Sequence, residues 1–310
     1  MRMRILFLSL ATAVGWGWAS VAAAQLDLSW SFAHNRTVLM EPIRATVRIT
    51  NHSGRDLDLG PGGNARLRFR VEDQPSSVVP ATGEPLVRRA FSVPNGETRE
   101  VMIDLLDGYR IVQGQSYMVS PLIEVGGMSF PGRRLALEVQ PGLELLRRDY
   151  GLPAFGEARR VSLRTIHRER SDRLFLRVDN AATGFCLGVY DLGRLIRFFK
   201  PRIEQDRDGL FHVLHQSGPD RFVHSVFDFN GFPSGQTIYA GEMASLRLTR
   251  GDDGAVQVTG GTPYEDDPEN PGMLIAPERP PSPSQHIRMG ELPMKRQADR
   301  EPARRRNRSR

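Results

Sequence analysis

The sequence predicts an all-β protein of two antiparallel domains, and three patterns carry that prediction. Residues 25–140 alternate apolar and polar side chains with a period of two, the signature of strands with one face buried and one solvated. Clusters of Gly, Pro and Asn punctuate those strands at the intervals expected of tight turns. Beyond residue 161 the pattern resumes as hairpins whose turns end at Gly184, Gly209, Gly231 and Gly254, 22 to 25 residues apart.

In the first domain, Ile43, Ala45, Val47 and Ile49 point one way and Arg44, Thr46, Arg48 and Thr50 the other. Ala65, Leu67, Phe69 and Val71 repeat the pattern against Arg66, Arg68 and Arg70. With Leu26–Phe32, Val87–Ser92, Val101–Leu105, Tyr117–Ile123 and Leu135–Val139 this gives about seven strands, the number expected of a two-sheet sandwich. Residues 142–160 carry Gly142, Gly151, Pro153 and Gly156 without alternation and read as a linker, so the first domain spans 25–141 and the second 161–262. Residues 263–310, rich in Pro and then in Arg, have too few apolar side chains to fold and read as a disordered tail.

The first 24 residues have the form of an export leader. Arg2 and Arg4 precede an uncharged apolar run, and Ala22-Ala23-Ala24 supplies small residues for cleavage before Gln25, which places the mature chain in the periplasm or outside the cell. An uncleaved anchor is the alternative. Cys186 is the only cysteine, so no intramolecular disulfide can form and stability must come from packing. The formal charge of +6 is not a nucleic-acid footprint. Lys295–Arg310 holds eight basic and two acidic side chains. With Arg2 and Arg4, this excess is larger than the whole-chain total, so the body between them is net negative. Arg304, Arg305, Arg306, Arg308 and Arg310 could instead hold an anionic envelope surface.

Glu41-Pro42 ahead of the alternating strand, Thr50-Asn51-His52-Ser53-Gly54, Pro94-Asn95-Gly96-Glu97 and Gly114-Gln115-Ser116-Tyr117 resemble the immunoglobulin-like modules common in secreted bacterial proteins. The resemblance covers residues 25–140 and implies a sandwich acting as spacer or binding scaffold; a few similar modules inhibit proteinases. The chain departs from antibody-type domains in lacking paired cysteines and a mid-domain Trp, since its one Trp after the leader is Trp30. In the second domain, Asp206–His215 and Arg221–Gly231 resemble blade hairpins of secreted β-propellers, including glycan-acting ones. A closed ring needs about four blades and residues 161–261 supply about two, so an antiparallel meander folded on itself as a sandwich or open barrel is expected instead.

Candidate site residues cluster in this second domain. Glu204, Asp206 and Asp208 before Gly209 have the acid spacing of the first half of a calcium loop, but His215 stands where that loop ends in Glu, and a hairpin turn with solvated acids accounts for the same residues. His212 and His215, three apart on a strand, face opposite sides. If the loop Gln216–Asp220 pairs His215 with Arg221, His212 opposes His224 on one face, close enough to share a proton or a metal. No spacing for a Ser-His-Asp triad, a Cys-His pair, a metallohydrolase or a phosphate loop is present. The sequence is therefore expected to encode an exported, non-enzymatic protein that binds an envelope protein or glycan, needs no cofactor, and uses His212, His224, Asp206 and Asp208 as its candidate binding residues. The alternatives are a glycan-acting hydrolase or lyase built on those residues, with calcium at the acidic turn, and an inhibitor of extracellular proteinases.

Overall fold

A computed structural model of the chain describes residues 25–74, 77–152, 156–266 and 274–275. The leader and the arginines from Arg304 onward lie outside the described residues. The first domain contains β1 (Gln25–Phe32), β2 (Arg36–Val38), β3 (Arg44–His52), β4 (Leu57–Leu59), β5 (Ala65–Gln74) and β6 (Ser77–Val78). It continues through β7 (Phe91–Val93), β8 (Thr98–Asp104), a single helical turn (Leu105–Gly108), β9 (Ser116–Val125), β10 (Met128–Pro131) and β11 (Leu135–Gln140). One sheet has the order β1-β3-β8 and the other β2-β11-β9-β5-β4-β7. The side chains that alternation assigned to the inside, Ile43, Ala45, Val47, Ile49, Ala65, Leu67, Phe69 and Val71, are all buried in one core between these sheets. The strand expected over Val87–Ser92 forms instead at Phe91–Val93, where β4 offers a pairing partner; Val87 is buried without joining a strand.

Phe69 shows how a side chain can complete a sheet. Its partner in β9 is Pro121, whose carbonyl accepts a hydrogen bond from Gly132 N–H, so the Phe69 backbone groups face the other way. On that side β4 reaches only Ala65, through Leu59. The Tyr109 hydroxyl fills the position, accepting from Phe69 N–H at 2.7 Å and donating to Phe69 O at 2.5 Å.

The second domain begins earlier than the glycines and prolines suggest. β12 (Leu143–Leu152) and β13 (Glu157–Arg168) occupy most of the expected linker and form a four-stranded meander with β14 (Ser171–Asn180) and β15 (Cys186–Arg194). Alternation is hidden in β12 because a bulge between Glu144 and Leu146 shifts its register, so that Leu145 and Leu146 both reach the core. Facing it is a sheet of β16 (Arg202–Gln205), β17 (Phe211–Gln216), β18 (Arg221–Phe227), β19 (Pro233–Gly241) and β22 (Gly261–Pro263). Leu163, Leu174, Leu176, Phe211, Val213 and Phe227 fill the space between the two sheets. Gly184, Gly209, Gly231 and Gly254 all have positive φ, the turn role that their even spacing predicted.

The outer face of the five-stranded sheet is covered by the hairpin β20 (Arg247–Arg250) and β21 (Val256–Thr259), with Leu246, Leu248 and Val258 packing on Phe199, Leu214 and Phe222. Residues 263–266 and 274–275, expected to belong to the disordered tail, are ordered in part. Pro263 pairs with Tyr239, and β23 (Glu265–Asp266) pairs with β24 (Leu274–Ile275). Among the described residues no helix is long and apolar enough to cross a membrane.

Candidate functional site

The histidine hairpin forms, with a register two residues away from the expected one. β17 and β18 pair His215 with Val223 rather than Arg221, because Ser217 and Gly218 N–H both bond to the Arg221 carbonyl and tighten the turn to Ser217–Asp220. A two-residue shift keeps every side chain on its face. His212 therefore stands opposite Val226, diagonal to His224 on the same side, while His215 points to the other.

The two rings stack at 5.2 Å between centroids, and His212 Nδ1 lies 3.1 Å from His224 Nε2. His212 Nε2 lies 3.1 Å from Asp206 Oδ2, and Asp206 Oδ1 accepts the N–H groups of Asp208 and Leu210 at 3.0 and 2.8 Å. One proton arrangement satisfies the whole chain. His224 Nε2–H donates to His212 Nδ1, and His212 Nε2–H donates to the Asp206 carboxylate. The rings are 7% and 9% exposed, and burial, reinforced by the charge that His212 could carry, pushes His224 down to about 4. At neutral pH His224 is then an uncharged imidazole and a poor general base.

The acids of the suspected calcium turn do not converge. Asp206 is spent on His212 and the turn backbone, Glu204 lies 3.5 Å from Arg148 and 4.0 Å from Arg250, and Asp208 lies 3.7 Å from Arg207. Among the described residues no group of three or more His, Cys, Asp or Glu side chains could hold a metal ion.

His215 is the histidine that spacing did not single out. It is fully buried between the two sheets, neither ring nitrogen makes a well-formed hydrogen bond to another described group, and burial lowers it to about 4, a shift that contact with the Arg194 backbone only partly offsets.

A sizeable concave surface lies elsewhere, at the junction of the two domains. A cavity of about 780 Å³, within the size range of ligand pockets, is walled by His34, Glu41 and Arg44 of the first domain and by Arg168, β15 and β19 of the second. Among the lining residues is Arg168, 2% exposed, which donates to Glu41 Oε1 at 2.8 Å and to Asp191 Oδ2, while its guanidinium lies 5.2 Å from the Phe175 ring centre. Glu41 also accepts from Val38 N–H, and Asp191 from Arg173 and Gly193 N–H. Two arginines and two carboxylates thus balance one another, and three of the four, Arg168, Glu41 and Asp191, line the cavity. Nothing local in the sequence signals this network, because Arg168 and Glu41 are 127 residues apart. The histidine chain lines neither this cavity nor a smaller one of about 490 Å³ in the first domain.

No family model and no curated protein sequence matches the chain. Among solved structures it is similar to Spo0M, a sporulation control protein from Bacillus subtilis, at 14% identity and a TM-score of 0.25, over 52% of this chain and 82% of that one. It is also similar to the CsuC–CsuE chaperone–tip adhesion subunit complex of Acinetobacter baumannii (11% identity, TM-score 0.19, 74% and 96% covered). A third similarity is to a DUF4784 family protein from Bacteroides caccae (8%, 0.19, 80% and 83%). At these TM-scores the likenesses carry no argument about what this chain binds.

Proposed function

We propose that this chain is a non-catalytic binding protein of the bacterial cell envelope, whose ligand is an envelope protein or glycan. One observation carries the reading. The residues with the most chemistry, Asp206, His212 and His224, satisfy one another in a nearly closed site, whereas a cavity of about 780 Å³ is walled by both domains, with Arg168, Glu41 and Asp191 paired among themselves and Arg44 exposed on its rim. A hydrolase or lyase needs its acid and base in a pocket with a pKa near working pH, and His224 has neither property. The leader-like first 24 residues support export, and the arginines at 304, 305, 306, 308 and 310 suit attachment to an anionic envelope surface.

The test is to present the exported protein to arrays of envelope glycans and to immobilised envelope proteins, scoring binding and product formation together. Saturable binding without turnover is the expected result. Cleavage of a glycan that disappears in His212→Gln would overturn the reading in favour of an enzyme.

A further inference from the structure

Four consecutive residues of β15, Val189 to Leu192, and four consecutive residues of β19, Pro233 to Gln236, line the junction cavity. Successive side chains of a strand point to opposite faces, so a cavity touching four in a row runs along the strand's edge and not over its face. The floor behaves differently: Ser225 and Phe227, two apart on β18, meet the cavity from the inward face of their sheet. Between its first-domain wall and the second domain, the cavity is therefore a seam where the outer edges of β15 and β19 border one opening and do not pair with each other.

Both edges are open among the described residues. β15 is last in its sheet, and β22 pairs with β19 only at Tyr239, Ala240 and Gly241. Ile238 O accepts Tyr264 N–H, so the Ile238 backbone faces outward, and by the period of two so does that of Gln236. The Gln236 side chain meanwhile turns inward, where its Nε2 donates to Ser225 Oγ at 3.1 Å.

Exposed edges are ordinarily guarded by charge. The other two edges of this domain follow the rule: β12 carries Glu144, Arg147, Arg148 and Asp149, and β16 carries Arg202 and Glu204. The edges at the seam break it. β19 has no charged residue; of the two in β15, Asp191 is held by Arg168 and Arg173, and Arg194 stands at the strand's last position, beyond the four residues that line the cavity. Pro233 closes one end of the β19 edge, and a side chain added at Gly235 would meet nothing within 4 Å.

We propose that the seam is a strand-addition site which takes up an extended segment of a partner polypeptide. This rests on the binding reading above and names its partner class. An outward-facing edge is complemented by a molecule that repeats N–H and C=O at strand spacing, which an extended peptide does and a glycan does not. Arg44, exposed on the rim, fits an acidic residue in that segment.

The experiment selects a phage-displayed library of random linear dodecapeptides on the full chain. Selected peptides are then remade with single backbone N-methyl groups and with acid-to-lysine changes. The expected result is binding that falls about tenfold or more when N-methylation hits alternate positions, stays level at the intervening ones, and weakens when the acid is replaced. Gln236→Pro, which removes an outward N–H, should lose the peptide, whereas Gln236→Ala, which equally lacks the side-chain bond to Ser225 Oγ, should keep it; the N-methyl series decides the matter on unaltered protein if the proline variant does not fold. An unenriched library, N-methyl effects without alternation, or Gln236 amide exchange already slow in the free chain, as when its own C-terminal residues fill the seam, would each overturn the proposal. An envelope partner that binds Gln236→Pro as well as the unaltered chain removes the seam and leaves the binding reading standing.

Discussion

Arg168 and Glu41 meet at 2.8 Å across the domain junction, 2% and 7% exposed, although 127 residues separate them in the chain. The pair ties the end of β13 to the loop ahead of β3, and Val38 packs beside it against Ile166, Phe175 and Val189, so polar and apolar contacts fix the two domains together. Removing the guanidinium leaves Glu41 buried and Asp191 half-buried with less compensation. Arg168→Ala is expected to cost about 3–5 kcal/mol in urea denaturation, and Arg168→Met combined with Glu41→Gln should cost less than the single change.

The histidine chain carries a second expectation. His212→Gln or His224→Gln breaks a satisfied buried network and should lower stability by about 1–3 kcal/mol while leaving partner affinity unchanged. Equilibrium unfolding and a binding titration on the same samples check both halves. A variant of normal stability with lost binding would return these residues to the ligand site.

The pH dependence follows from His215 and His224, both lowered to about 4 by burial. The unfolded chain takes up these protons near pH 6.5 and the folded chain only near 4, so the two histidines' contribution is complete above about pH 6.5 and lost as pH falls from there toward 4. Each contributes a slope of about 1.4 kcal/mol per pH unit inside that window. The groups facing them, Asp191 near His215 and His212 beside His224, modify the slope and do not reverse it. Denaturation midpoints from pH 7.5 to 4.5 measure it, and His224→Gln should remove about one proton's worth.

Much of the fold was legible because alternation reports burial directly, as at Ile43–Ile49 and Ala65–Val71, where every inward assignment is buried. The shared face of His212 and His224 was legible for the same reason: a hairpin register wrong by two preserves parity, and parity is what a strand sequence encodes. What escaped has a common cause. The bulge at Glu144/Leu146 breaks the alternation of β12, and the Arg168–Glu41 pair and the seam depend on strand edges brought together from distant segments, which no local pattern records.

Tyr109 offers a test of the first domain that is independent of the site. Tyr109→Phe leaves Phe69 N–H and C=O without the hydroxyl that serves both, at a sheet position where β4 does not reach. A loss of about 1–3 kcal/mol is expected, with the circular dichroism spectrum unchanged, since the two sheets keep their other pairings.

Hydrogen–deuterium exchange on the full chain, with and without a saturating selected peptide, most directly tests where this protein binds. The account expects slowed exchange along residues 188–192 and 233–237, the two bare edges of the seam, and no change across residues 206–224, where the histidine chain is already satisfied. Protection centred on His212 and His224, with the seam amides unaffected, would contradict it.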